Sequence, residues 1–229
     1  MTKILRDYPR PDISVEETDY GLKITALRHM ADELTHVRIT NSIFPTAICI
    51  PMSKEMTITQ WHVPVDDENC YWYTIFTSFD NPIDQKKMRM QRLAEHTLPE
   101  YLPIRNKQNN YKYNSEEQRN LTYTGMGLDI NVHDQWAVEM MGKVQDRTRE
   151  HLGRSDVAIV RYRRMLRKAM AALEAGEVKQ LPMQSPQTAE LAGPLSNDAI
   201  APTENWKHKS ELEDQNRRAV CPWDALVKI

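Results

Sequence analysis

Apolar and polar residues alternate along the first third of the chain, with the period of a half-buried β-strand. Residues 56–63 keep this alternation for most of their length, and an aromatic run follows them after a polar turn. We therefore expect a hairpin in which Trp61-His62-Val63 and Tyr71-Trp72-Tyr73 are the two arms. A second hairpin is predicted over 12–30, around the turn that contains Gly21.

Helical patterns replace the alternation in the second third of the chain. Residues 84–96 predict a charged, methionine-rich helix, whereas 98–124 are polar, lack a period and predict a long surface loop or lid. A further helix is expected from about Asp134 to His151. After a break at Gly153, another helix is predicted from about Val157 to Ala175, with apolar residues near one face.

The remaining residues, 179–229, are rich in Pro, Ser, Asn and Asp and predict an extended tail. Trp206, Trp223 and Leu226 are the expected anchors of this tail. Residues 1–178 are then one body, divided into a sheet over 11–80, a loop and helix region over 81–133 and paired helices over 134–175.

Composition and charge narrow the function classes. The 229 residues are 40% hydrophobic and 27% charged, which is typical of a globular protein. Thirty basic and thirty-two acidic residues give a net charge of −2, without the basic excess of a general nucleic-acid binder. No apolar run is long enough to span a membrane, and the N-terminus lacks the apolar core of a secretory signal. We expect a cytoplasmic protein.

Few motifs carry chemistry on their own. The three cysteines, Cys49, Cys70 and Cys221, lie far apart without a CxxC or CxH pair, so neither a zinc knuckle nor an iron–sulfur site is expected from them. Cys49 and Cys70 lie in predicted strands and are expected to be buried packing residues. The Gly125-Met126-Gly127 segment lacks the third glycine of a dinucleotide loop and predicts a turn. None of the seven histidines has a partner at the spacing that would place two imidazoles on one helical face.

Asp134 is the carboxylate of most interest, because it stands where the helix that ends near His151 is predicted to start. By itself it is explained as an N-cap that accepts backbone N–H bonds. The arginine-rich stretch 161–168 is similarly explained as a charged helix face or a subunit contact.

The block over 134–164 favours a functional role for Asp134 over a capping role. Its sequence is DQWAVEMMGKVQDRTREHLGRSDVAIVRYRR. It resembles the C-terminal helical signature of Rieske-type ring-hydroxylating oxygenase α subunits, in the branch of phthalate dioxygenase and 5,5′-dehydrodivanillate O-demethylase. The VxDRxREHLGxSDxAI spacing and the arginine pair that follows it carry the resemblance. Upstream, Thr18-Asp19-Tyr20-Gly21 and the segment 62–67 are also similar to this branch, so the resemblance covers about 11–175.

The resemblance implies an α+β fold of the helix-grip (START/Bet v1-like) type, with an antiparallel sheet wrapped around a long C-terminal helix. It also implies a mononuclear non-haem Fe(II) bound by two histidines and one carboxylate, a facial triad that leaves coordination positions for O₂. The carboxylate falls on Asp134. Electrons would come from a Rieske 2Fe–2S cluster on two cysteines and two histidines.

This sequence departs from the family pattern in two respects. It contains neither the CxH and CxxH motifs of the Rieske cluster nor the paired histidines that normally precede the sheet region. We therefore expect the C-terminal catalytic portion of an oxygenase from a truncated or split gene, which does not bind iron tightly by itself. The alternative is an iron-free helix-grip module for ligand binding or assembly, or the remnant of a truncated oxygenase.

The implied activity is hydroxylation or oxidative O-demethylation of an aromatic compound with O₂. The expected partners are a reductase or ferredoxin that delivers NAD(P)H-derived electrons, and two further copies in a homotrimer. Candidate residues of an aromatic-lined substrate pocket are Trp61, Trp72, Tyr73, Phe76 and Trp136, although for any single one of them plain core packing is the favoured explanation. Asn131 and His133 flank Asp134 and are candidates for groups that support the metal ligand or the pocket.

Overall fold

The computed structural model describes residues 2–182, 184 and 193–221. The helices are α1 (Thr2–Asp7), α2 (Gln85–Leu93), α3 (Ser115–Asn120), α4 (Ile130–Glu139), α5 (Val157–Glu174) and α6 (Trp206–Val220). The strands are β1 (Asp12–Thr18), β2 (Gly21–His29), β3 (Leu34–Ile43), β4 (Ala47–Pro51), β5 (Met56–Pro64), β6 (Cys70–Ser78), β7 (His96–Thr97), β8 (Leu102–Pro103) and β9 (Asn197–Pro202).

The chain divides into two compact units. The first comprises Met1–Val65, Asn69–Pro82 and His151–Ile229, and the second comprises Asp66–Glu68 and Ile83–Glu150. Strands β1 to β6 and β9 belong to the first unit, together with α1, α5 and α6, whereas the second unit is mostly helical. No helix among the described residues is long and apolar enough to cross a membrane.

The sheet of the first unit is antiparallel, and each strand from β1 to β6 pairs with the next along the chain. Both predicted hairpins are confirmed. In the first, Thr18 lies opposite Gly21, and in the second Trp61 lies opposite Tyr73. The predicted helix over 157–175 is also confirmed, and α5 contacts β1 and β2. A large antiparallel sheet with this long helix confirms the α+β fold class.

Residues 193–221 are not an extended tail, so that prediction is wrong for this part of the chain. Strand β9 pairs with the first half of β3, where Ala199 lies opposite Val37. Buried and exposed residues alternate along β9, since Ala199 and Ala201 are buried and Ile200 between them is exposed. The proline and asparagine content makes this alternation hard to recognise in the sequence. Helix α6 then contacts β9.

The core of the first unit forms where β3 and β9 meet. Val37, Ile39 and Ala201 are buried together. Trp206, the first residue of α6, packs partly buried against this cluster, which confirms it as an anchor. Trp223 and Leu226, the other two predicted anchors, lie outside the described residues.

The second unit contains more regular structure than its polar sequence predicted. Helix α2 confirms the predicted helix over 84–96, and Asp84 is its N-cap, accepting the N–H of Lys87 at 2.9 Å. The segment 98–124 is not one irregular loop, because it contains α3 and a 3₁₀ segment over Lys107–Lys112. Tyr111 in this segment packs with Met126 and Val132 as the buried centre of the unit.

Candidate functional site

Helix α4 presents Asp134, but this residue does not begin the helix as predicted. Asp129 is the N-cap, and its Oδ1 accepts the N–H of Asn131 at 2.9 Å. The helix ends at Glu139 rather than near His151. Gly142 follows in the left-handed region with φ of 92°, and Asp146 caps a separate 3₁₀ turn. Asp134 therefore lies within the second turn, so the N-cap explanation of this residue is wrong.

Asp129 also fixes the start of α4 to the rest of its unit. Its carboxylate forms an ion pair with Arg92 of α2, and its side chain is buried. Sequence reasoning missed this residue because Asp134 occupied the expected position. The pattern that could have identified it is an aspartate that directly follows a glycine-containing turn and precedes a helical segment.

The turn before α4 is held by several hydrogen bonds, and the prediction of a turn at Gly125–Gly127 is confirmed by their positive φ angles. Glu117 accepts the N–H of Gly127 and the hydroxyl of Thr122, each at 2.7 Å. The Thr122 hydroxyl, followed by the Gly127 N–H, lowers the pKa of Glu117 below its ordinary value. His133 reaches back from α4 to the same turn, with Nε2 at 3.0 Å from the Gly127 carbonyl oxygen.

The end of α4 is fixed by a second buried contact. Tyr111, only 1% exposed, donates its hydroxyl to Glu139, which also accepts from Gln135 at 2.9 Å. Burial and the adjacent carboxylate raise the pKa of Tyr111 well above that of an ordinary tyrosine. The start of the helix is thus attached to α2 and its end to Tyr111 of the buried centre.

Between these attachments, Asp134 lies on the outward face of α4. Val132, the buried residue of the helix, points to the opposite side. The neighbours of Asp134 one turn away on either side are Ile130 and Val138, which are 59% and 62% exposed. A carboxylate is therefore displayed between two exposed apolar side chains, on a helix that is held at both ends.

Two of the predicted pocket residues share α4 with Asp134, and the helix separates them. Asn131 is half-buried and precedes Asp134 by three residues, so it lies beside it on the helix surface. Trp136, which is exposed, follows Asp134 by two residues and lies on the far side of the helix. Asn131 is a neighbour of the carboxylate, whereas Trp136 is not.

The aromatic residues of the β5–β6 hairpin also fail to line one common pocket. Trp72 and Phe76 lie on one face of the sheet, because successive side chains of a strand alternate. Trp61 and Tyr73, which are directly opposite each other, lie on the other face. On the first face, the Trp72 ring contacts His62 at 5.1 Å between centroids, and its Nε1 is buried without a hydrogen-bond partner in the described structure.

The described residues do not complete a metal site. Among them, no group of three or more His, Cys, Asp or Glu side chains is arranged to hold a metal ion. Asp134 is a single candidate ligand, and the residues present do not fit a mononuclear iron without further ligands. The cysteines add none: Cys49 is buried as predicted, and Cys70 is exposed, which corrects the expectation that it packs in the core. Cys70 is exposed because it begins β6 at the turn end of the hairpin, opposite Pro64.

Comparison with known proteins identifies the class. The family described as "LigXa C-terminal domain like" matches residues 6–220, and the chain belongs to this family. The oxygenase subunit of phthalate 4,5-dioxygenase from Pseudomonas putida is 31% identical over 177 residues. That match covers 73% of this chain and 39% of the relative, so the chain spans about two fifths of the relative's length. The resemblance to a ring-hydroxylating oxygenase subunit is confirmed.

Proposed function

We propose that this chain is the C-terminal catalytic portion of a Rieske non-haem iron oxygenase that acts on an aromatic compound, and that Asp134 is its carboxylate ligand to iron. The observation that carries the proposal is the placement of Asp134 on the outward face of a helix fixed at both ends. A metal ligand needs such a rigid support, because its oxygen must stay in position when the metal is absent. The 31% identity to an aromatic-ring oxygenase subunit supports the same class of chemistry.

The proposal assigns the missing ligands to a further polypeptide segment. One carboxylate does not hold iron, and the family pattern calls for two histidines in addition to it. The exposed apolar residues Ile130 and Val138 on either side of Asp134 support packing against such a segment, since solvent-facing apolar patches mark surfaces that are covered in the functional assembly. The Rieske cluster would belong to the same additional polypeptide.

The residues of this chain have a limited role within the proposed enzyme. Asp134 supplies a negative oxygen ligand, and the contacts of Asp129 and Glu139 hold its helix. Asn131 is placed to orient that carboxylate through a hydrogen bond, directly or through a water molecule.

The substrate and partners follow from the class. We propose an aromatic carboxylate or a methoxylated aromatic compound as the substrate, which is hydroxylated or O-demethylated with O₂. A reductase or ferredoxin would supply the electrons, and the complete enzyme would be a cytoplasmic homotrimer. Because this chain has no glycine-rich dinucleotide loop in its sequence, NAD(P)H binding is assigned to the partner.

The test is to purify the tagged chain anaerobically from its native host with whatever polypeptide it retains. Iron, products formed from phthalate and from a methoxylated benzoate, and the retained sequences are then measured. The proposal expects a retained polypeptide with CxH and CxxH motifs, bound iron, and loss of both iron and product in Asp134→Asn. Glu116→Gln, an exposed carboxylate substitution in the same unit, is the matched control and should leave both unchanged.

Two results would contradict this proposal. A chain purified without iron and without such a polypeptide, yet folded, would contradict the oxygenase proposal and favour an iron-free binding or assembly module. Stoichiometric Fe(II) in the isolated chain would contradict the assignment of the other ligands to a further segment.

A further inference from the structure

Strand β6 is one edge of the sheet in the first unit. The strand order runs from β1 to β6, and among the described strands β6 pairs with β5 alone. An edge strand presents a row of N–H and C=O groups on its outer side, which can pair with a further strand. Natural sheets protect such edges with charged side chains or proline.

The opposite edge of the sheet has this protection, whereas β6 does not. Strand β1 carries three exposed carboxylates, those of Asp12, Glu16 and Glu17. The nine residues of β6, CYWYTIFTS, include neither a charged side chain nor a proline. A long, uncharged edge of this kind is a site of association with another strand.

Large side chains of β6 are also exposed beside this edge. Tyr71, Tyr73 and Ile75 share one face of the sheet, because every second residue of a strand points to the same side. They are 60%, 56% and 55% exposed. Val63 of β5, which is directly opposite Tyr71, is exposed too and extends the row. A contiguous row of exposed apolar side chains marks surface that contacts another molecule.

The hydrogen bonds of the β5–β6 hairpin show which backbone groups are available at the edge. At the turn, the N–H of Val65 bonds to the carbonyl oxygen of Asn69 at 2.9 Å. Hydrogen-bonded and non-hydrogen-bonded pairs alternate along an antiparallel ladder, so the odd-numbered residues of β6 bond to β5. The even-numbered residues, with Thr74 at the centre, therefore direct their N–H and C=O groups to the outer side.

We propose that β6 pairs antiparallel with β6 of a second copy of this chain, about a two-fold axis at Thr74. Thr74 is the midpoint of the strand Cys70–Ser78, so this register pairs every residue of β6. It also places the even-numbered residues of the two copies opposite each other. Their outward N–H and C=O groups can then form the hydrogen-bonded pairs of the new ladder.

The side chains of β6 are complementary to themselves in this register. The opposing pairs would be Trp72 with Phe76, Tyr73 with Ile75, Tyr71 with Thr77, and Thr74 with Thr74. These are aromatic–aromatic, aromatic–β-branched and Thr–Thr pairs, which stabilise neighbouring strands. Two copies of β1 would instead bring carboxylates together. The symmetric register suits every position of β6 at once, which favours a second copy over an unrelated strand.

This contact is independent of the proposed oxygenase role. It joins chains in pairs, so it is different from the three-fold contacts of the proposed homotrimer. With one strand from each chain, the interface lies below the area of about 1,200 Å² from which stable specific interfaces begin. We therefore expect a reversible dimer rather than a permanent one.

Sedimentation velocity of the purified full chain, over roughly 1 to 100 µM, tests whether the chain associates. The mass is expected to double reversibly as the concentration rises. Thr74→Pro removes an N–H that points away from β5 and would serve only the second copy. Because one bond is lost from each chain, the association should weaken by about tenfold or more.

Two lysine substitutions separate the edge from the exposed face. Tyr73→Lys places a charge on the edge strand itself and should also weaken the association by about tenfold or more, even where Thr74→Pro fails to fold. Val63→Lys places the same charge on the same face but on β5, one strand away from the edge. It is the matched control and should associate like the parent chain.

Disulfide formation tests the register. Cys70→Ser first removes the exposed thiol, while Cys49 and Cys221 are buried. In this background, Thr74→Cys would place two thiols on directly opposed residues, about 5.5 Å apart at Cα, which a disulfide can span. Oxidised glutathione should therefore link this variant into covalent dimers. Tyr71→Cys, whose two copies would lie near opposite ends of the paired strands, should remain largely unlinked.

Three results would overturn the proposal. The first is a chain that stays monomeric at about 100 µM. The second is association that survives both Thr74→Pro and Tyr73→Lys, since the contact would then lie elsewhere. The third is equal cross-linking of the Thr74→Cys and Tyr71→Cys variants, which would exclude the symmetric register.

Discussion

Asp129 and Arg92 form a largely buried ion pair that joins helix α4 to helix α2. The same carboxylate caps α4 through the N–H of Asn131. One side chain therefore sets both the start of the helix that carries Asp134 and its attachment to the second unit.

The double role of Asp129 predicts a graded loss of stability. Asp129→Ala removes the cap and the ion pair and should destabilise the second unit by about 2–3 kcal/mol. Asp129→Asn keeps an oxygen for the Asn131 N–H and should cost less. Urea unfolding monitored by circular dichroism would measure both, and equal losses for the two variants would refute a contribution from the cap.

The glycines around α4 allow a matched pair of substitutions. Gly125 has φ of 70°, and an added Cβ would lie 2.5 Å from the carbonyl oxygen of Asn114. Gly142 has φ of 92°, with no atom within 4 Å of such a Cβ. Gly142→Ala should cost about 1 kcal/mol for backbone strain alone, and Gly125→Ala at least about 2–3 kcal/mol because packed backbone must move. Thermal unfolding of the two variants would compare them, and similar melting temperatures would contradict the close packing at Gly125.

Because the pKa of Tyr111 is raised in the folded chain, we expect the chain to lose stability at high pH. Its pKa is raised in the folded chain by burial and by Glu139, so the unfolded chain loses this proton first as the pH rises. The contribution is fully present below the ordinary tyrosine pKa of 10.0 and is lost progressively above it. Tyr111→Phe should cost about 1–2 kcal/mol at neutral pH and show a shallower decline between pH 10 and 11 than the parent chain. Parallel declines would show that Tyr111 titrates normally.

Because the pKa of Asp198 is lowered in the folded chain, we expect the chain to lose stability at low pH. Burial alone would raise its pKa, but the hydrogen bond from His36 and the charge of Arg38 outweigh burial, and the pKa is lowered. Its stabilising contribution is therefore present above the unfolded value of 3.8 and is lost as the pH falls through the lower folded value. Asp198→Asn should be less stable at pH 7 and should lose less on acidification from pH 5 to pH 3. Circular dichroism during acid titration would compare this variant with Asp156→Asn, a substitution of an aspartate that contacts neither His36 nor Arg38.

Local patterns were sufficient to predict the hairpins and α5. The register of Trp61 with Tyr73 follows from a short turn between two alternating strands, which involves only neighbouring residues. The first residue of α4 was harder to predict from the sequence, because Asp129 and Asp134 are both of a residue type that caps helices. The choice between them depends on Arg92, 37 residues away, whose contact the local sequence does not encode.

Prediction failed most clearly where a segment acquires its structure from a distant partner. Asn197–Pro202 ends in a proline, and a second proline, Pro194, stands three residues before it, so the local composition resembles a linker rather than a strand. It becomes a strand because β3 offers it an edge and a buried apolar surface. The sequence alone also did not separate the candidate aromatic residues by face, because strand register decides that Trp61 and Trp72 lie on opposite faces of the sheet.

The pairing of β9 with β3 also constrains how the chain can fold during synthesis. Arg38 meets its partner Asp198 only after 160 further residues have been made. Until then the first half of β3 presents a bare edge with Val37 and Ile39 uncovered, a state that favours association with other nascent chains. Any shortened product that stops before Asn197 would keep this edge permanently, so its expected fate is aggregation rather than accumulation as a stable domain.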